Sequence, residues 1–263
     1  MKNIFITGVC GGMGKATALY LLEKGYNIIG IDNKEFCDVG GITYYKVDIT
    51  SKNAILELLN ELADKNIRID AVCHFAGVYN MDSLVEIDED DIIRIFNINF
   101  FGVYRINKML LPLLNDNAKI VITSSELAPL DPLPFTGLYG ITKSTLEKYA
   151  YSLRMELNLL GHQVSIIRPG AVKTPLLNES TSSIDKFINK TVIYKETSTR
   201  FKKIVDSVEN KNIEPIKIAK VVGKILNKKR AKFVYNINRN FLLKLLNALP
   251  DRLQVFVIGK ILK

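Results

Sequence analysis

The chain has 263 residues, 48% hydrophobic and 24% charged, enough to bury one large α/β core or two small ones. No apolar run reaches the roughly 18 residues that cross a bilayer, and the start turns glycine-rich at Gly8, too early for a secretory leader. Cys10, Cys37 and Cys73, in no paired spacing, read as free thiols of a reducing cytoplasm, and His74 and His162 are too few to expect a protein-built metal site.

Lys2 to Thr7 is an apolar run suited to a strand buried on both faces of a parallel sheet. Gly8-Val9-Cys10-Gly11-Gly12-Met13-Gly14 follows, and Ala16 to Leu22 reads as helix. Strand, glycine turn and helix make the phosphate-binding half of a dinucleotide site, because the glycines let the backbone approach a pyrophosphate that the helix N-terminus attracts. The alternative is a tight turn without a ligand. Tyr26 to Ile31 is a second strand, closed by Asp32. A carboxylate about 20 residues beyond the loop can accept from ribose hydroxyls and would repel a 2′-phosphate, which favours NAD(H) and leaves NADP(H) as the second choice because Lys15 and Lys34 are near.

Ile42 to Val47 is a third strand, followed by Asp48-Ile49-Thr50 and a helix capped by Ser51 and running to Asp64. Asp70 to Phe75 is a fourth strand ending at Ala76-Gly77, residues 88–114 read as one helix, and Lys119 to Thr123 is a fifth strand ending at Ser124-Ser125. Thr136 to Leu160 is a long helix, and Gln163 to Ile167 a sixth strand ending at Arg168-Pro169-Gly170. This alternation predicts a doubly wound Rossmann-type parallel sheet of about seven strands with helices on both faces and a C-terminal helical extension. Ligands of such sheets bind at the carboxyl ends of the strands, where Gly8, Asp32, Asp48, Gly77, Ser125 and Pro169 would gather.

Tyr139 and Lys143 stand four apart on the long helix, so both face one side of it. A phenol with an ordinary pKa near 10 is a poor base at neutral pH, and an ammonium beside it is expected to lower that value.

Together these residues resemble the short-chain dehydrogenases/reductases in their compact, single-domain form, over roughly residues 2–236. Thr7 to Gly14 is similar to the family's Thr-Gly-x-x-x-Gly-x-Gly loop, Asp48-Ile49 to its adenine-contacting pair, and Asn99-Phe100-Phe101-Gly102 to its Asn-x-x-Gly. Ser125 stands where the family has its catalytic serine, Tyr139 and Lys143 match Tyr-x-x-x-Lys, and Pro169 to Thr174 resembles Pro-Gly-x-Val-x-Thr. The resemblance implies hydride transfer between a nicotinamide and a secondary alcohol or ketone. It implies catalytic roles for Tyr139, Lys143, Ser125 and Asn99. It implies cofactor contacts from Gly8, Gly12, Met13, Gly14, Asp32, Asp48, Ile49, Ala76, Gly77, Tyr139, Lys143, Pro169, Gly170, Val172 and Thr174. Homodimers or homotetramers are implied too. Two departures stand out. His74-Phe75-Ala76-Gly77 replaces Asn-Asn-Ala-Gly, and Ser125 lies 14 residues before Tyr139, one more than is usual, with Ser124 the alternative. The extra residue is expected in the loop Glu126 to Phe135, which would rim the substrate pocket.

One domain is expected, with residues 1–174 the cofactor-binding and catalytic core, 175–214 a substrate lid, 215–239 a last helix and edge strand, and 240–263 an amphipathic extension. Ser180 to Ser183, rich in Ser and Thr, suggests local mobility in the lid. The net charge of +9 is uneven: residues 200–263 hold 16 Lys and Arg against 4 Asp and Glu. Three readings of 240–263 stand open: an interfacial segment with lipid under its apolar face, a wall or portal for an apolar substrate, and an extension that packs on the core or on another subunit. No nucleic-acid module is recognisable in this basic segment. The leading expectation is an NAD(P)(H)-dependent oxidoreductase with a small-molecule, moderately apolar substrate (steroid-like, lipid-like or 3-oxoacyl). The alternative is a non-catalytic nucleotide-sensing regulator on the same fold.

Overall fold

In the computed structural model the backbone of all 263 residues and all side chains except those of residues 178–181 and 209 are described. Seven parallel strands make one sheet in the order β3-β2-β1-β4-β5-β6-β7. They are β1 (Asn3–Thr7), β2 (Asn27–Asp32), β3 (Thr43–Lys46), β4 (Ile69–His74), β5 (Leu114–Thr123), β6 (Gln163–Pro169) and β7 (Val234–Ile237).

Period-two alternation in β1 sends Phe5 to one face of the sheet and Ile4 and Ile6 to the other. On the Phe5 face lie α2 (Lys52–Asp64), α4 (Val103–Leu110) and α5 (Gly137–Leu159), through Ile55, Leu62, Ile106 and Leu146. On the Ile4 face lie α1 (Gly12–Glu23) and α8 (Ile216–Asn227), through Leu21, Ile218 and Val222. Each fully buried Ile or Leu of these layers contributes roughly 1.5–3 kcal/mol.

The stretch expected as one helix over 88–114 is divided. α3 (Glu89–Phe96) passes into a π-helical turn, Asn97–Gly102, before α4, and a short 3₁₀ turn, Leu111–Leu113, leads straight into β5. Periodicity did not show the wider turn, which inserts one residue per turn without interrupting the apolar stripe. Ser51 caps α2 as expected, its Oγ accepting from the Ala54 N–H at 3.2 Å.

Beyond β6 come α6 (Pro175–Lys190) and α7 (Lys195–Glu209), and after β7 come α9 (Phe241–Leu246) and α10 (Asp251–Leu262). A third apolar cluster joins α6, α7 and α10 to the proline-rich loop, residues 126–135, which holds Pro129, Pro132 and Pro134, through Phe187, Phe201, Leu262 and Phe135. Phe135 is its hub, in a left-handed conformation (φ 65°) and with rings of Phe187, Tyr194 and Phe201 within 5.4 Å of its own. In the Ser180 to Ser183 run, the side chains of Ser180 and Thr181 lie outside the described residues. Ser183 Oγ accepts from the Met81 N–H at 2.8 Å and ties α6 to the loop after β4.

Candidate active site

Two cavities meet at the carboxyl edge of the sheet. The larger, about 600 Å³, follows the tips of β1, β2 and β4 and brings together Gly8, Gly12, Met13, Gly14, Asp32, Asp48, Ile49, Ala76, Gly77 and Thr174. The smaller, about 160 Å³, holds Ser125, Tyr139, Lys143, Pro169, Gly170 and Val172. Met13, Phe75, Gly77, Val78, Thr174 and Leu176 line both.

The larger cavity suits a dinucleotide. Gly11, at the N-cap of α1, offers no side-chain cap, and the first turn carries no acidic residue, so bare N–H groups at the positive end of the helix dipole remain for an anion. Gly8 turns with φ 69°, and a Cβ there would stand 2.6 Å from the Ala76 nitrogen. A Cβ on Gly12 would stand 2.6 Å from Thr174 Cγ2, which is how closely the glycine loop and the Pro169–Thr174 segment approach. Asp32 Oδ2 accepts from the Cys10 N–H at 3.0 Å and is thereby held against that loop. Asp48 Oδ1 accepts from the Thr50 N–H at 2.8 Å in a tight turn.

The smaller cavity carries the Tyr139–Lys143 pair. Tyr139 is buried under the Tyr79 ring, with centroids 4.3 Å apart. Lys143 Nζ lies over the Tyr139 ring, 5.7 Å from its centroid, and donates to the Thr123 carbonyl at 3.1 Å. Asn99 sits in the π-helical turn; its Oδ1 accepts from the Val78 N–H at 2.9 Å, and its Nδ2 donates to the Val78 carbonyl at 3.0 Å. The wider turn thus aims Asn99 across the cleft at the loop after β4, and Nδ2 also reaches Thr142 Oγ1 at 3.3 Å.

The spacing of the pair predicts a phenol pulled below its usual pKa. The structure corrects this: burial pushes Tyr139 up to about 12, and the lowering influence is a hydrogen bond with Ser125. Burial also brings Lys143 down to about 8, partly opposed by the Glu147 carboxylate. Both side chains are nearly buried, and desolvation is the largest influence on each.

The two serines have different partners. Ser124 Oγ donates to Glu147 Oε1 at 2.6 Å, and Glu147 also accepts from Arg168 Nε at 2.7 Å and pairs with Arg168 Nη2. Both serines line the cavity, but Ser124 is tied into this buried network, while Ser125 Oγ accepts from the Leu127 N–H at 3.2 Å and is the neighbour that lowers the Tyr139 pKa. The proline-rich loop rims that cavity with Leu127 and Leu133, as its position suggested.

His74 and Phe75 take different places. His74 is buried, its Nε2 bonded to Asn107 Oδ1 at 2.8 Å, and burial brings its pKa down to about 4, so the neutral ring donates through Nε2–H. Phe75 lines both cavities, and its N–H donates to the Thr7 carbonyl at 3.1 Å. Sequence reasoning missed Tyr79, Glu126, Glu147 and Arg168. None lies in a recognised motif; Glu147, one turn beyond Lys143 on the same helix face, carried the one usable signal. Glu126 is a buried carboxyl raised by burial, and its Oε2 accepts from the Asn240 N–H at 2.6 Å.

The family model for the short chain dehydrogenases matches residues 2–185. The chain belongs to this family. A 3-ketodihydrosphingosine reductase of Bacteroides thetaiotaomicron is 26% identical over 231 residues, covering 88% of this chain and 85% of its own length. An NADPH-dependent 1-acyldihydroxyacetone phosphate reductase of Schizosaccharomyces pombe is 26% identical over 181 residues, 66% of this chain and 61% of its own. The crystal structure of a short chain dehydrogenase family protein from Francisella tularensis superposes with a TM-score of 0.75 at 24% identity, over 90% of this chain and 98% of that one, and shares the fold. As a short chain dehydrogenase the protein is an oxidoreductase acting on CH–OH donors with NAD or NADP.

Proposed function

We propose that this short chain dehydrogenase uses NAD(H) to interconvert a ketone and a secondary alcohol on a moderately apolar, lipid-like substrate. The observation that carries the reading is the meeting of the two cavities at Gly77 and Val78, with Tyr139, Lys143 and Ser125 on the smaller side. The nicotinamide cofactor, when bound, supplies or accepts the hydride. Tyr139, neutral with a pKa near 12, is a proton donor to a carbonyl oxygen held by Ser125, and the same groups run in reverse on an alcohol. Lys143 holds a positive charge beside the phenol below about pH 8, and Asn99 positions the backbone around it. Gly8, Gly12, Met13 and Gly14 would hold the pyrophosphate, Asp32 the adenosine ribose, and Asp48, Ile49 and Ala76 the adenine end; Gly77, Pro169, Gly170, Val172 and Thr174 would flank the nicotinamide.

Asp32 supports NAD(H) over NADP(H), although the relative from S. pombe is NADPH-dependent. The apolar walls at Leu177, Phe201, Val205 and Leu243 support an apolar substrate, as do the lipid-like substrates in the names of the two relatives. Residues 175–214 then act as a lid, since α6 and α7 supply much of that wall. The exposed apolar side chains Phe101, Tyr104, Tyr151 and Met155 support a homodimer or homotetramer formed through the region of α4 and α5. Cofactor oxidation with long-chain 3-oxo compounds, acyl dihydroxyacetone phosphates and short polar ketones tests the reading. It expects NADH turnover with the long-chain ketones, and preference for the short polar ketones would refute it.

A further inference from the structure

We propose that the outer face of α9 and α10 docks on an anionic lipid surface and holds the mouth of the substrate cavity against it; the second half rests on the apolar-substrate reading above. The inner side of α9 and α10 is engaged with the rest of the chain. Leu243 lines the substrate cavity, and Asn240 binds the buried Glu126 beside Ser125. Asn247 Oδ1 accepts from the Asp131 N–H at 2.9 Å, Gln254 Nε2 donates to Asp131 Oδ2 at 3.2 Å, and Leu262 is buried with the lid. The outer side is not covered: Phe241 is 72% exposed, Leu242 66%, Val255 74% and Phe256 59%. Lys244, Arg252, Lys260 and Lys263 are exposed among them, against one carboxylate, Asp251.

Aromatic and aliphatic side chains interleaved with cations on short helices suit the headgroup layer, where the apolar groups enter the acyl boundary and the cations meet lipid phosphates. No helix of the described residues is long and apolar enough to cross a membrane, so the segment would lie on the surface. Charge decides against a second copy as occupant. In a two-fold interface the patch meets itself, and four cations would face four cations. The exposed apolar side chains Tyr104, Tyr151 and Met155 on α4 and α5 offer self-association a separate surface.

The test is flotation of the full chain with phosphatidylcholine vesicles, with and without phosphatidylglycerol. The expected result is recovery with the phosphatidylglycerol vesicles only, weakening as salt rises. The pair Lys244→Glu and Lys260→Glu should lower partition by at least roughly fivefold per residue. The pair Phe241→Ser and Phe256→Ser should lower it too, while Lys220→Glu with Lys224→Glu on α8 should leave it nearly unchanged. All variants should bind NADH as the parent does, which reports folding without touching catalysis. No recovery with either vesicle, or equal loss in the α8 pair, overturns the proposal. So does a sedimentation experiment in which Phe241→Ser with Phe256→Ser turns a dimer into a monomer.

Discussion

Lys143 lies over the face of the Tyr139 ring, 5.7 Å from its centroid, while its ammonium donates to the Thr123 carbonyl. The two residues share one helix face and are both nearly buried. Burial therefore moves their pKa values apart, Tyr139 up to about 12 and Lys143 down to about 8. The pair stands ready as a neutral donor with a titrating cation beside it, and the consequences are measurable.

Lys143 is held below its ordinary 10.5, so its charge opposes folding. Below about pH 8 both folded and unfolded chains carry the proton and the full penalty applies. Between 8 and 10.5 the unfolded chain alone holds it, and stability rises with pH. Lys143→Met is thus expected to raise stability at pH 7 by on the order of 3 kcal/mol, with the gain gone by about pH 10.5, while turnover is lost. Urea midpoints of both proteins at pH 7 and 10 check this, and a gain independent of pH would contradict it.

His74 gives a slope on the acid side. Its folded pKa of about 4 lies below the ordinary 6.5, so the unfolded chain takes up a proton first as pH falls. Stability should drop between pH 6.5 and 4 by up to roughly 3 kcal/mol. His74→Asn should flatten that interval whatever it does to the absolute value. Denaturant midpoints across the range decide the matter.

Ser124 and Ser125 should part company on mutation. Ser124→Ala removes the hydroxyl donor to Glu147 and should cost about 1–3 kcal/mol of stability with most activity kept. Ser125→Ala should leave the thermal midpoint nearly unchanged and lower kcat by roughly 10²-fold or more. The reverse pattern would make Ser124 the substrate-facing serine.

Asp32 should set cofactor choice. Asp32→Ser removes the carboxylate that would meet a 2′-phosphate, with Lys34 also lining the cavity. The ratio of NADPH to NADH affinity should rise by at least about tenfold. Fluorescence titration of both cofactors measures it, and an unchanged ratio would move the adenosine ribose away from Asp32.

The strand tips were legible because parallel buried strands are continuous apolar runs, and each ended in Gly, Asp or Ser where the chain had to turn. The doubly wound parallel sheet followed from that alternation, and the glycine loop from its place between strand and helix; the strand order β3-β2-β1-β4-β5-β6-β7 did not. The π-helical turn at Asn97–Gly102 was not legible, since one extra residue per turn leaves the apolar stripe nearly intact. Tyr79 on Tyr139, Asn240 on Glu126 and the Ser124–Glu147–Arg168 network are contacts between distant segments, which no spacing encodes. The direction of the Tyr139 shift was misread for the same reason: the i, i+4 spacing gives the neighbour but not the depth of burial.

The central claim is that Tyr139 supplies the proton. Steady-state turnover of Tyr139→Phe on a ketone that the parent reduces, with NADH affinity measured beside it, tests this most directly. The expected result is unchanged NADH binding and a loss of kcat of at least about 10²-fold. A variant that binds NADH and reduces the ketone at near the parental rate would contradict it.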